Sequence, residues 1–543
     1  MTDNAAPRLL TAPASTRWSE AVTSAWAVPA VRSGTWGSGL ILVGSLTPAF
    51  LPEGNALTKL WLLRDLQYGP GRILATGLLL LGVFVLLRAW LRLYSRDDGV
   101  DVARATLGLW SLPLLLAPPL FSSDAYSYAA QGRIVRQGFD PYSVGPGLLG
   151  GQFAAQVDPL WLWTPAPYGP LALQIQRVVV DLMGNNPYAA AVGMRLPAIA
   201  ALVVIVVLLP RVATALGRNA RFALWLGVLN PLTVLHLLGG AHNDVIMIAF
   251  VVAALWLATQ HRLVWAALLV ALAASVKQPA IVAVIAVGVL AAPPPTTDRV
   301  FAWPWNAWPA PFRSSFRPVW PAWAPRSAWT RVQVLHVAAA AAVALAGFVV
   351  ITAVSGLGYG WVGAMHVPGE VRTYLAPSTA LGSLGEGLLR LTGYPTAAGY
   401  AVPALRITGL VLGAVAVGWI ILNRAARQPV TSLVLMLLTI VVCAPSLHPW
   451  YILWGGVLLG LTRVDRRTLR IATWITALFA CYGVIDFAVH NGLVAFGVSA
   501  GLALLWVATG HDRELVNPSA IPLPAQDGPR VARPDRAARR GPG

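Results

Sequence analysis

The chain has 543 residues, 57% of them apolar and 11% charged, and its mean hydropathy is +0.65. Soluble globular proteins carry about a quarter of their residues as charges, so that class is excluded, and the alternating pattern of a membrane β-barrel is absent. The net charge of +18 does not point to nucleic acid, because the basic residues sit at the ends of apolar runs, where they act as cytoplasmic anchors.

Residues 1–35 are polar and rich in Ala, Pro, Ser and Thr; they read as a disordered cytoplasmic N-terminus without a cleavable signal peptide. From Trp36 to about residue 508 the chain holds some fourteen apolar runs, several too short to cross a bilayer unless tilted. The expected fold is an all-α polytopic membrane protein of about 13–14 transmembrane helices, occupying residues 36–510.

The third run opens onto FSSDAYSYAAQGRIVRQGFDPYSVGP, residues 121–146. Ser122 and Ser123 can cap a helix starting near Asp124, and Gly138 can end it in a left-handed turn. Asp124, Tyr128 and Gln131 are then four and three residues apart and share one face. The carboxylate could simply complement the helix N-terminus. Alternatively, Asp124 is a general base facing a hydroxyl substrate, with Tyr126 and Tyr128 shaping the pocket. Such a surface suits a sugar.

Further along, LLGGAHNDVIM places His242, Asn243 and Asp244 in a tight turn between two apolar runs. One of them can be a helix cap, yet ionisable groups at membrane depth are functional candidates. Lys277 in ALAASVKQPAIVAV is one of two lysines in the chain. It either snorkels to the interface or pairs with a phosphate, beside a helix broken at Pro279. The Trp- and Pro-rich connector 293–331 reads as a cytoplasmic, surface-lying linker. In CAPSLHPWYILW, His448 ends an apolar run ahead of Trp450 and Tyr451 as interfacial aromatics. It is either structural or a second member of an outer-face site. The basic tail 511–543 reads as disordered and suited to anionic lipid. Cys443 and Cys481 lie inside apolar segments and suggest neither a disulfide nor a metal site.

With both termini cytoplasmic, 28 of the 39 Lys and Arg fall in cytoplasmic segments, as the positive-inside rule requires. The long polar segments 121–186 and 355–399 then face outward, and the outer face has the material for a site.

The motifs FSSDAYSYAAQGRIVRQGFDPY, LNPLTVLHLLGGAHND, VKQPA and LHPWY, in this order, resemble the actinobacterial polyprenol-phosphate-mannose-dependent α-1,6-mannosyltransferases of lipomannan and lipoarabinomannan assembly. The resemblance covers roughly residues 35–508 and leans to the subfamily that elongates the proximal mannan. It implies a GT-C fold in the plasma membrane, with an extracytoplasmic active site. It also implies inverting transfer of mannose from polyprenyl-phosphate-mannose to a phosphatidylinositol mannoside or other mannolipid. The family's outer-loop acid matches Asp124, although many such enzymes carry it in their first outer loop and here it falls in the second. On this reading Lys277, Arg133 and Arg136 neutralise the leaving phosphate. Tyr126, Tyr128, Gln131, His242, Asn243, Asp244, His448 and Trp450 line the sugar site. No cofactor is assigned, and the sequence leaves a divalent metal open. A divalent metal would need Asp124, Asp244 and His448 to meet in space, which no ligand spacing shows. The rival reading is a secondary transporter or lipid flippase, which would use the broken helix at Lys277-Gln278-Pro279.

Overall fold

Long runs of Leu, Val, Ala and Ile leave the backbone no solvent partner inside a bilayer, and a helix satisfies its polar groups internally. The computed structural model describes residues 14–47, 50–51, 59–60, 66, 69–94, 98–293 and 329–509. Helices dominate, and no β-strand occurs among the described residues. They are α1 (Ala14–Ala27), α2 (Pro29–Ser45), α3 (Gly69–Arg92), α4 (Val100–Leu116), α5 (Asp124–Arg136), α6 (Pro170–Met183), α7 (Pro187–Gly193), α8 (Arg195–Ala215) and α9 (Ala220–Gly227). The second half holds α10 (Asp244–Thr259), α11 (Leu263–Val276), α12 (Ala283–Ala291), α13 (Arg331–Ser355), α14 (Pro377–Leu391), α15 (Pro395–Ile420), α16 (Pro429–Cys443), α17 (Arg466–Val489) and α18 (Gly492–Ala508).

The chain is thus an all-α, multi-pass membrane protein, but its apolar runs do not each become one membrane-long helix. Among the described residues five helices are long and apolar enough to cross, six if a bent pair counts as one, and four shorter apolar helices accompany them. The run at 221–239 breaks into α9 and a π-helical segment, Thr233–Gly239, and the run at 449–462 becomes short turns. Asn230, Pro231, Gly455 and Gly456 interrupt them.

Disorder up to residue 35 does not hold from Ala14 onward, where α1 and α2 form. Ala21, Ala25, Val28 and Val31 recur at helical spacing and are buried, and α1 packs on α4. The segment's average polarity hides this narrow apolar stripe. The connector at 294–328 and the tail from 510 lie outside the described residues.

α2 packs lengthwise on α3, α10 packs on both α8 and α11, and α13 covers α11 and α12. At one end Trp90 and Trp225 stack at 4.8 Å, each indole N–H donating to the other's backbone carbonyl at 2.8–2.9 Å. At the other end, α4, α11, α16 and α17 finish while α8, α10 and α15 begin. The amphipathic α5 and α6 pack on each other there, α6 lying against α11 and α13. That end carries the site.

Candidate active site

The loop from α4 to α5 is held by one buried arginine. Arg195 donates to the carbonyls of Leu115 (3.1 Å), Ala117 (2.5 Å), Pro118 (2.9 Å) and Gly239 (2.7 Å). The Leu120 N–H also donates to the Gly239 carbonyl, at 3.2 Å. These bonds clamp the Asp124 loop against the HND turn. Each segment carries a non-glycine residue at positive φ, Phe121 at 57° and Ala241 at 55°. Such backbone is costly and persists where surrounding contacts over-determine it.

α5 starts as its capping chemistry predicts: the Ser122 hydroxyl accepts from the Asp124 N–H at 3.0 Å, while Ser123 makes no side-chain cap bond. It ends in a Schellman motif. Gly138 at φ 81° donates to Val135, and Phe139 donates to Ile134. The face carrying Asp124, Ser127 and Gln131 lines a narrow cleft with Tyr168, His448 and Tyr451. The cleft encloses about 30 Å³, room for a water but not for a sugar ring. Ser127 Oγ and Gln131 Oε1 are buried there without a hydrogen-bond partner, which marks the wall as suited to a polar guest.

The Asp124 side chain is 16% exposed; its Oδ2 lies 3.4 Å from His242 Nδ1 and 3.4 Å from the Tyr128 hydroxyl. Both contacts are long for hydrogen bonds, and neither His242 nitrogen has a better-aligned partner. Burial works to raise the Asp124 carboxyl. The His242 ring, the His448 ring and the Ser122 hydroxyl outweigh it and hold the group below the ordinary aspartate range. Burial pulls the His448 imidazole down to about 4, so it is neutral near pH 7. Trp450 stacks with His242 at 3.7 Å and with His448 at 4.8 Å, tying the two rings into one aromatic group.

Beside it lies a second pair. Lys277 Nζ sits 2.7 Å from Asp244 Oδ1, which also accepts from the Trp454 indole at 2.5 Å. Asp244 Oδ2 is buried without a partner. The ammonium is 4.1 Å from the Tyr451 ring centroid and 5.8 Å from that of Tyr168, two walls of the Asp124 cleft. Lys277 is extended (φ −149°, ψ 117°) at the break after α11, and the Gly169 N–H donates to Val276 at 3.1 Å. Asp244 opens α10, bent by 110° from the π-helical segment before it.

The segment around α14 positions His448 from behind. Arg406 donates to Thr379 Oγ1 at 2.9 Å and to the carbonyls of Gly369 and Val371. Thr379 donates to the Pro445 carbonyl at 2.5 Å, and Thr373 accepts from the Leu447 N–H at 2.9 Å.

Residues 31–293 match the family described as alpha-(1->6)-mannopyranosyltransferase, N-terminal domain, and residues 378–484 match the MptB C-terminal domain. The chain is 32% identical to alpha-(1->6)-mannopyranosyltransferase A of Mycobacterium tuberculosis, over 82% of this chain and 84% of that protein. The chain belongs to the alpha-(1->6)-mannopyranosyltransferase family. A further relative, alpha-(1->6)-mannopyranosyltransferase B of Corynebacterium glutamicum, is 26% identical over 87% of this chain and 77% of its own.

Asp124, His242, Asp244 and Lys277 lie in the first family-matched region, and His448 and Trp450 in the second. The fold of this mannopyranosyltransferase relative therefore joins its two matched regions at the cleft. Of the residues expected from sequence, Asp124, Tyr128, Gln131, His242, His448 and Trp450 come together, with Asp244 and Lys277 adjoining. Asn243 is buried beside them, both amide atoms unpartnered. Three do not converge. Arg136 pairs with Asp181 at 3.0 Å, Arg133 lies 5.7 Å from the Phe153 ring centroid, and Tyr126 packs against the cluster of Ala190, Ala191 and Met194. The helix turns these positions away from the Asp124 face. Among the described residues no three His, Cys, Asp or Glu side chains gather as metal ligands would. Sequence reasoning missed Tyr168, Trp454, Arg195 and His236. His236 is fully buried, both ring nitrogens without a partner. Arg195 had a signal, a lone arginine heading an apolar run; Tyr168 had none.

Proposed function

We propose that the chain transfers mannose from a polyprenyl-phosphate-mannose donor to a mannolipid acceptor, inverting the donor's β linkage to form an α-1,6 bond on the extracytoplasmic face. The observation that carries this reading is Asp124. It is a carboxylate held ionised in a narrow cleft, lined by unpartnered polar atoms, in a chain whose relatives are named alpha-(1->6)-mannopyranosyltransferases.

Asp124 takes the proton of the acceptor's 6-hydroxyl as that oxygen attacks the anomeric carbon. The bond from that carbon to the phosphate oxygen breaks, and the electron pair departs with the polyprenyl phosphate. His242, 3.4 Å away, holds the carboxylate in line. Lys277 has three N–H donors, one of them on Asp244; the others meet the leaving phosphate. Ser127, Gln131 and Tyr128 bind sugar hydroxyls, and the cleft widens to admit the ring.

The test is transfer by purified protein from lipid-linked mannose to a short mannolipid, followed by linkage analysis. Asp124→Asn is expected to leave folding intact and lower transfer by about 10²–10⁴-fold. Full activity in that variant removes Asp124 from the role.

A further inference from the structure

At the opposite end of the bundle lies a much larger cavity, of about 770 Å³, within the range of about 300–1,000 Å³ usual for ligand sites. α8 runs from Arg195 at the Asp124 loop to Ala215 near this cavity, 21 residues, or about 31 Å of helix. The cavity is therefore separated from the carboxylate by roughly the thickness of a bilayer core.

Its walls are the first three turns of α16 and α17 with the turns at 452–462. Leu435, Leu438, Ile471 and Ile475 give them an apolar surface. Its polar lining is dominated by four arginines, Arg218, Arg424, Arg427 and Arg463. None of the four meets a carboxylate within salt-bridge distance among the described residues; Arg424 packs on the Trp419 ring, 5.5 Å from its centroid. Arg218 Nε is buried without a partner. The one carboxylate of the 459–476 stretch, Asp465, is occupied in capping α17, accepting from the Thr468 N–H at 2.7 Å. Burial and then the neighbouring Arg463 charge pull the Arg218 guanidinium below its ordinary range. Among the described residues, four like charges thus ring an apolar hollow with no carboxylate on any of them, Arg218 half-buried and the other three exposed at its mouth.

We propose that this cavity binds an anionic phospholipid from the leaflet at the arginine-rich end, its phosphate held by Arg218, Arg427 and Arg463 and an acyl chain lodged between α16 and α17. Guanidinium groups bind phosphate in paired, charge-assisted hydrogen bonds, and basic pockets between transmembrane helices suit lipid head groups. A free phosphate would neutralise the arginines but leave the leucine-rich wall against water. A neutral lipid would cover that wall but leave the charges facing one another. Only an anionic amphiphile satisfies both.

The experiment is native mass spectrometry of the delipidated full-length protein titrated with phosphatidylglycerol, phosphatidylcholine or inorganic phosphate. Phosphatidylglycerol is expected to bind at least about tenfold more tightly than phosphatidylcholine, and millimolar phosphate should not displace it. Arg427→Gln/Arg463→Gln should erase most of that preference, while Arg390→Gln, at an exposed pair with Glu386, should leave it intact. Equal binding of the two lipids, displacement by phosphate, or unchanged preference in the double variant overturns the proposal. If the double variant does not fold, the unaltered protein is irradiated with phosphatidylglycerol carrying a photoreactive acyl chain. Adducts on α16 or α17 support the site, and adducts confined elsewhere overturn it.

Discussion

Asp124 and Asp244 are two carboxylates in adjoining environments with opposite partners, and their surroundings assign them different tasks. Asp124 touches an imidazole and a phenol at long range, so its lone pairs remain available. Asp244 is saturated on one oxygen by an ammonium and an indole, so it serves the Lys277 side chain. Removing one partner of a buried pair costs about 3–5 kcal/mol, whereas replacing both by apolar groups is often neutral. Asp244→Asn and Lys277→Met should therefore each lower the thermal midpoint strongly, and Asp244→Leu/Lys277→Met should recover most of the loss. If the double variant is as unstable as either single one, the pair is not coupled. The recovered variant should still use donor poorly, since it lacks the ammonium. His448 gives a pH signature. Its folded-state value of about 4 lies below the ordinary 6.5, so between these values the unfolded chain holds more protons. Stability then rises with pH through that window and is lost as pH falls from 6.5 toward 4, by at most about 3–4 kcal/mol. Thermal melts across pH 4–7 should show this slope, and His448→Gln should flatten it; an equal slope in both proteins refutes the assignment. The Asp124 value is depressed instead, so its contribution is lost only at more acid pH.

At the scale of elements, the site is a meeting of helix ends. Arg195 heads α8 and spends its side chain on four carbonyls belonging to the loop after α4 and the segment before α10. Arg195→Met leaves those acceptors buried and unpaired, and each costs about 1–3 kcal/mol. The expected result is a large fall in thermal midpoint and loss of transfer; normal stability in this variant would show that water replaces the guanidinium. Gly169 is a second joint. A side-chain carbon there would press on the Ser275 carbonyl, just where α11 gives way to Lys277. Because the clash is with backbone, Gly169→Ala should lower the thermal midpoint strongly and weaken donor use, read as a raised donor KM; an unchanged midpoint would show that the joint yields freely. α5 was legible from sequence to within a residue, because Ser122 and Gly138 are local signals. The clamp by Arg195 was not, because it joins positions 44 to 80 residues apart.

For the whole molecule, the distribution of arginine supports the proposed orientation. The ends of α3, α16 and α17 opposite the carboxylate carry Arg92, Arg427, Arg463, Arg466, Arg467 and Arg470, whereas at the cleft end arginines such as Arg136 and Arg177 are paired with acid, here Asp181, and Asp124 and Asp158 lie at the same end. In a variant lacking Cys443 and Cys481, a cysteine at exposed Leu160 should react with an impermeant maleimide in intact cells. One at exposed Arg467 should react only after permeabilisation. The reverse pattern inverts the topology and removes the extracytoplasmic site.

Hydropathy by itself determined the class of this protein, because twenty apolar residues in a row have few other fates in water. Residue chemistry determined the local start and stop of α5 and singled out Asp124, His242, Asp244, Lys277 and His448. Only the tertiary structure decided which of these face one another. It divided the two carboxylates between an imidazole and an ammonium, turned Arg133 and Arg136 away, and brought in Tyr168, Trp454 and Arg195. The physical reason is separation along the chain. Asp124 and His448 meet because α4, α10, α11 and α16 end or begin at the same depth, and no spacing rule within one segment carries that information.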